Sequence, residues 1–235
     1  PSKFSVPMIR AFILMALVGL ILRFPAALAQ PMPQFQDVAD SIGLTHPFNT
    51  QVGVGGGAAF LDYDADGDDD LYVTGGTLAD RLFRNNGDGT FTDVTAQAGI
   101  VRTDSANTQG VAVADVNNDG YPEIYVTTTG GVIGDEFPIQ RDLFFRNNGN
   151  GTFTEQGVSA GFLHEHYTAS ASFGDVNLDG HLDLYVATYV DTTGVEFDSS
   201  GNLTAFSHQC APDYLYLNDG TGHFADAMDS LMGPA

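Results

Sequence analysis

Of 235 residues only one is cysteine, Cys210, and only eight are lysine or arginine. The lone thiol excludes an internal disulfide framework and leaves Cys210 to stay free or to pair with a cysteine elsewhere. Eight basic residues against thirty acids give a net charge of −22. Such a surface repels nucleic acid and anionic lipid. Apolar runs of membrane length are missing too: Ala11–Leu22 is twelve residues, too short to span a bilayer. No nucleophile–base pair, Ser-His-Asp constellation or nucleotide-binding glycine loop is visible, which argues against an enzyme.

The short apolar run reads instead as a secretory signal over residues 1–29. Lys3 and Arg10 precede it, and Ala27-Leu28-Ala29 follows with the small side chains of a cleavage site. Met8 is a possible true start, and Arg23 in the tail of the run argues against an uncleaved anchor. The mature chain then begins at Gln30 with five basic residues against thirty acids, a net charge of −25. A secreted, extracellular protein is expected, or a periplasmic or cell-surface one in a bacterium.

Much of the acid is organised. Three nine-residue segments begin at Asp62, Asp115 and Asp175 and place oxygen-bearing side chains at positions 1, 3, 5 and 9 around a glycine at position 6. The first offers Asp62, Asp64, Asp66 and Asp70; the second Asp115, Asn117, Asp119 and Glu123; the third Asp175, Asn177, Asp179 and Asp183. Hard cations take such oxygen sets, with a backbone carbonyl at position 7 (Asp68, Tyr121 or His181) as a further ligand. Gly67, Gly120 and Gly180 permit the sharp turn. Calcium is the expected ion, held with the affinity of extracellular modules, about 10⁻⁴ to 10⁻³ M, since magnesium demands stricter octahedral geometry. Pro122 stiffens the second loop. Clustered carboxylates repel one another without a cation, so each loop is expected to be loose when empty and rigid when filled. Without the flanking helices and position-12 acid of an EF-hand, the loops read as structural clips rather than switches.

A second pattern travels with the first. Arg84-Asn-Asn-Gly-Asp-Gly-Thr-Phe91 recurs at Arg146–Phe153 and, more loosely, at Leu217–Phe224, each an Asn/Asp-Gly hairpin signal. Loops recur after 53 and 60 residues and hairpins after 62 and 71, so the period is that of a β-repeat array. Each unit resolves into four short strands, in the first roughly Gly57–Tyr63, Leu71–Thr74, Leu82–Asn85 and Thr90–Thr95. The first strands carry small residues and suit a crowded central axis, so the expected fold is an all-β propeller of four-stranded blades at about 54–98, 109–160 and 167–229. Three blades are too few to close a ring, since propellers need about four to eight. Phe35–Leu44 matches Phe91–Ile100, and a closing strand is expected over about 33–44.

These phrases resemble the integrin-α-like FG-GAP or VCBS repeats. Gly55-Gly-Gly-Ala-Ala-Phe-Leu-Asp-Tyr-Asp, Asp70-Leu-Tyr-Val and Leu82–Ile100 are similar more narrowly to the ASPIC/UnbV, cartilage-acidic-protein-like group. The resemblance implies a ring of about seven blades with calcium between the first two strands of a blade. Three repeats then make an N-terminal fragment. It also implies an adhesion or binding scaffold for an extracellular protein or glycan; the alternative is a propeller lyase or hydrolase whose active site lies in further blades.

Long connections at Thr128–Gln140 and Val190–Pro212 join second to third strands and so project from the face opposite the cation loops. Phe137, Tyr189, Phe197 and Phe206 are candidate partner contacts there. His164 and His166, two apart, are a weak candidate for a transition-metal pair and are better read as a solvated loop. Asn150-Gly-Thr152 and Asn202-Leu-Thr204 are glycosylation sequons, meaningful in a eukaryotic source.

Overall fold

The structure, a computed structural model, describes residues 34–49, 55–101, 103–129, 140–165, 167–190, 192–200, 202–209 and 211–228. The signal segment and Phe137, His166 and Cys210 lie outside the described residues. Contacts divide the chain into units 1–37 and 38–235. Of the first, residues 34–37 are described and have no regular structure.

The second unit holds three four-stranded antiparallel sheets, each a meander. The first comprises β1 (Ala58–Leu61), β2 (Asp70–Val73), β3 (Arg81–Asn85) and β4 (Phe91–Asp93). The second comprises β5 (Thr108–Ala114), β6 (Glu123–Thr128), β7 (Leu143–Asn147) and β8 (Phe153–Glu155). The third starts with β9 (Tyr167–Gly174) and β10 (Asp183–Val190), leaves for a separate ribbon of β11 (Thr192–Phe197) and β12 (Leu203–Gln209), and returns as β13 (Tyr214–Asn218) and β14 (Phe224–Asp226). These are propeller-type blades, and the strands fall within a few residues of their expected places. The long third-blade connection is itself a hairpin, because its ends pair Thr192 with Gln209 and Phe197 with Leu203.

Small residues bring the first strands together. A methyl group added at Gly57 of the first blade would lie 2.8 Å from Gln109 O of β5, and one at Gly110 would lie 2.9 Å from Ala169 O of β9. Any Cβ there would push neighbouring backbones apart. Bulk resides on the faces between sheets. Tyr72, Leu82, Ile124, Val126 and Phe145 form the layer between blades one and two, and Tyr125, Phe144, Leu184, Val186 and Tyr216 that between blades two and three. Strand β6, covered on both sides, buries all six of its residues.

Blades one and two are each left through a short linker that packs under the outer strand of the next. Phe153 N–H of β8 donates to Ala98 O at 2.7 Å, and Gly161 approaches Phe224 O of β14 so closely that no side chain fits. The second linker contains one helical turn, α1 (Gly157–Ala160), ended by Gly161 at φ +103°. It delivers Phe162 into the centre of an aromatic cluster, with ring centroids 4.9 Å from Tyr125, 5.3 Å from Phe144, 5.0 Å from Tyr216 and 4.9 Å from Phe224.

Residues 34–44, where a closing strand is expected, pair with no other strand among the described residues. Ala39–Ile42 is a 3-10 turn, ended by Gly43 at φ +92° against Phe91 O of β4, and Phe35 is 97% exposed. Val38–Leu44 therefore repeats only the linker half of Phe91–Ile100. The strand half needs a hydrogen-bonded neighbour, and none pairs with it among the described residues.

Polar contacts at both ends of the sheets join blade to blade. At the end remote from the acidic loops, Thr108 Oγ1 of β5 donates to Asp80 Oδ1 at 2.6 Å, and Thr168 Oγ1 of β9 donates to Asp142 Oδ1 at 2.5 Å. Asp80 also takes the Tyr72 hydroxyl at 2.6 Å and Gly75 N–H at 2.7 Å. Asp142 takes the Tyr125 hydroxyl at 2.7 Å and Thr128 N–H at 2.8 Å. At the loop end, Asn147 Nδ2 donates to Tyr63 O at 2.8 Å and Asn218 Nδ2 to Val116 O at 2.7 Å, each reaching back to the preceding blade.

Phe162→Ala should cost about 3–5 kcal/mol of unfolding free energy, read from urea denaturation. Truncating the 60%-exposed Val158 of the same linker should shift the midpoint far less.

Candidate metal centre

The three acidic loops share one backbone course. Position 4 is left-handed in each, with φ 59° at Ala65, 56° at Asn118 and 63° at Leu178, and the position-6 glycines lie at φ 93°, 90° and 90°. Side chains hold that course. The position-1 aspartate accepts two backbone N–H groups: Asp62 from Asp66 and Gly67 at 3.1 and 3.0 Å, Asp115 from Asp119 and Gly120 at 3.1 and 2.8 Å, Asp175 from Asp179 and Gly180 at 3.1 and 3.0 Å. The position-5 aspartate accepts the N–H of position 7, from Asp68, Tyr121 or His181 at 2.9–3.0 Å. These hydrogen bonds within the chain hold the curve of each loop.

The position-9 acids are the anchors. Asp70, Glu123 and Asp183 are fully buried. Asp70 accepts Tyr63 N–H at 3.1 Å and Asn85 N–H at 2.8 Å, tying the loop to β3. Asp183 makes the equivalent pair with Val176 and Asn218 at 3.0 and 2.9 Å. Glu123 takes Val116 N–H at 3.0 Å, while its Oε1 is buried without a hydrogen-bond partner. The extra methylene of glutamate alters where the second oxygen arrives.

The loops part company at position 3. Asn117 Nδ2 donates to Asp119 Oδ2 at 2.9 Å and Asn177 Nδ2 to Asp179 Oδ2 at 2.8 Å, so an amide hydrogen neutralises part of the acid cluster. The first loop has Asp64 there, with a buried Oδ1 that meets no donor. Asp62, Asp64 and Asp70 bring one oxygen each within 4.8 Å of one another, the one such group of acidic, histidine or cysteine side chains among the described residues. Asp66 is outside that group. The donor set is hard oxygen throughout, and the orphaned Asp64 Oδ1 and Glu123 Oε1 are what a cation would satisfy, so the residues fit calcium best in loop one.

Loops and hairpins lie at one end of each blade, as expected. Position 7 rests against the first hairpin glycine: Asp68 on Gly87, the Tyr121 ring on Gly149, the His181 ring on Gly220. The sequence reading did not single out Asp80, Asp142 and Asp213. Their signal was an aspartate recurring just before each third strand. His164 stacks on Tyr214 at 4.1 Å and its Nε2 lies 3.4 Å from Asp226. Tyr189 is 62% exposed beside the ribbon.

Burial raises the pKa of Asp70 to about 6, of Glu123 to about 7 and of Asp142 to about 6, and raises that of Asp80. An acid whose pKa is higher folded than unfolded stabilises the fold when protonated, and loses that contribution as pH rises through the folded value.

Residues 62–126 and 132–186, just over half of the chain, match the FG-GAP-like repeat, and residues 107–152 match the FG-GAP repeat. This is a propeller-repeat protein by fold and by loop geometry. The chain belongs to the FG-GAP repeat family. A solved structure of an Agrocybe aegerita lectin, described for specific recognition of non-reducing terminal N-acetylglucosamine, aligns at 18% identity over 71% of this chain and 49% of its own, with a TM-score of 0.31. The chain thus spans about half the length of that lectin. No curated protein matches the sequence.

With cations chelated away, the melting temperature should fall between about pH 4 and about pH 7 as these acids pass from their unfolded to their folded pKa values. Asp142→Asn should flatten that profile, which general charge repulsion alone would leave unchanged.

Proposed function

We propose that this chain is a secreted binding scaffold of the ASPIC/UnbV, cartilage-acidic-protein-like group, in which calcium rigidifies the blades and extracellular protein or glycan partners bind the opposite face. The observation that carries the reading is the oxygen cage of Asp62, Asp64 and Asp70, built on a loop course repeated in all three blades. Bound calcium would supply positive charge to a strongly acidic module. Asp62, Asp64 and Asp70 would hold it in loop one, Asp115, Asn117, Asp119 and Glu123 in loop two, and Asp175, Asn177, Asp179 and Asp183 in loop three, with Asp66 and the position-7 carbonyls completing the shells. Hydrogen bonds within each loop and blade contacts beside it support a role for the ion as a clip rather than a switch. We read the three blades as part of a larger ring and residues 1–29 as a removed secretory signal. In support of a partner face, the β11–β12 connection at the end opposite the loops is a paired ribbon separate from the blade sheets.

Calcium titration of the purified protein tests the clip. The melting temperature should rise over about 10⁻⁴ to 10⁻³ M calcium. Asp64→Asn should copy the position-3 amide of the other loops, raising stability without calcium and shrinking the calcium-dependent gain. No thermal shift with calcium, in wild type or variant, would overturn the metal reading. Replacing residues 192–209 by a short turn should leave the calcium shift intact and abolish retention on the partner protein or glycan found by array screening. Unchanged retention would remove the ribbon from the interface.

A further inference from the structure

The end of blade two remote from its acidic loop holds a cavity of about 250 Å³, where β7 begins and β8 ends. Ser105 enters it from the linker before β5, Val158 from α1 and Glu165 from the segment before β9. Its polar side chains are each pinned by a contact within the chain. Arg141 Nε donates to Leu163 O at 3.2 Å, and Arg141 Nη2 lies 3.0 Å from Glu165 Oε1. The backbones of Arg141 and Glu165 are joined as well, by an antiparallel bridge. Gln140 Nε2 donates to Ser105 O at 2.5 Å, and Glu155 Oε1 accepts Gly157 N–H at 2.9 Å. Groups held in this way lose little freedom when a ligand arrives, which lowers the cost of binding.

The lining narrows the ligand. An anion would meet Glu155 and Glu165, on a chain that already carries a net charge of −22. A cation would meet the guanidinium of Arg141, whose Nη1 has no acceptor among the described residues. A hydroxyl suits both signs at once, since it donates to a carboxylate and accepts from a guanidinium. Arg141 and Glu165 are open to such a group, with side chains 44% and 50% exposed. Val158, 60% exposed, adds an aliphatic wall beside the polar pair. Pockets for drug-sized ligands run to about 300–1,000 Å³, so this smaller cavity admits one ring rather than a chain of them.

We propose that the cavity binds a neutral pyranose, the terminal sugar of a glycan. Arg141 and Glu165 share neighbouring hydroxyls of the ring, Gln140 Oε1 accepts a further one, and Val158 packs on its C–H face. The inference rests on the reading of this end of the blades as the partner face, and it names the class of partner bound there. Asp142 and Leu143 line the cavity from the buried side. The Asp142 carboxylate already takes hydrogens from Tyr125, Thr128 and Thr168, so recognition falls to the groups nearer the surface.

Saturation-transfer NMR on the full chain tests this, with methyl pyranosides of the common neutral hexoses and N-acetylhexosamines as probes. At least one should bind, and Glu165→Gln and Val158→Trp should each weaken it by about tenfold or more. Val158 lies at the surface, so the tryptophan fills the cavity mouth without entering the core, and an unchanged melting temperature checks that. A pyranoside that binds both variants as well as wild type would place the sugar elsewhere, overturning the cavity while leaving the scaffold reading standing. No pyranoside binding, beside ribbon-dependent retention of a partner, would have the same consequence; loss of both would overturn both. Stronger transfer to methylguanidinium or to acetate than to any pyranoside would assign the cavity to a charged group and overturn the proposal too.

Discussion

Every blade buries a carboxylate at the loop end of its sheet, and the first two bury a second at the opposite end. Asp70, Glu123 and Asp183 close the acidic loops, while Asp80 and Asp142 anchor the opposite end against the next blade. A buried charge is tolerated only when surrounded by donors. The donors here are backbone N–H groups of the loops and the hydroxyls of tyrosine and threonine. The carboxylates therefore fix where strands begin and how neighbouring sheets register. The apolar layers fill the space so defined, and Phe162 locks the second layer from the linker.

The two carboxylates of a blade do different work. The loop-end acid belongs to a cluster that a cation can complete, and the first loop has the clearest vacancy of hydrogen-bond donors at Asp64 Oδ1. In the other two loops the asparagine at position 3 already donates to its neighbour. One repeat pattern thus yields acidic loops that differ in how far their oxygens are satisfied. The far-end acid takes only hydroxyl and amide hydrogens, and it carries continuity from blade to blade.

Much of this was legible in the residues. Alternating small first strands, Asn/Asp-Gly hairpins and a repeated Asp-x-Asp/Asn-x-Asp-Gly spacing specify blade, turn and loop through local geometry alone. Local rules failed where a partner strand was needed. Phe35–Leu44 copies Phe91–Ile100 in sequence, yet only its turn forms, because a strand requires hydrogen bonds from a neighbour. The Val190–Pro212 insertion was legible only as a long connection, and its ribbon depends on cross-strand pairing rather than local propensity.

The sequence by itself determined the repeat, the strand order within each blade, the loop course and the oxygen character of the acidic sites, because each is set by residues within a few positions of one another. Tertiary structure alone decided which acids are buried, which oxygens lack donors, and which blade edges are satisfied. Those depend on groups brought together from distant parts of the chain, as Asn218 is with Val116 and Thr168 with Asp142. A single sequence pattern cannot encode the distance between them.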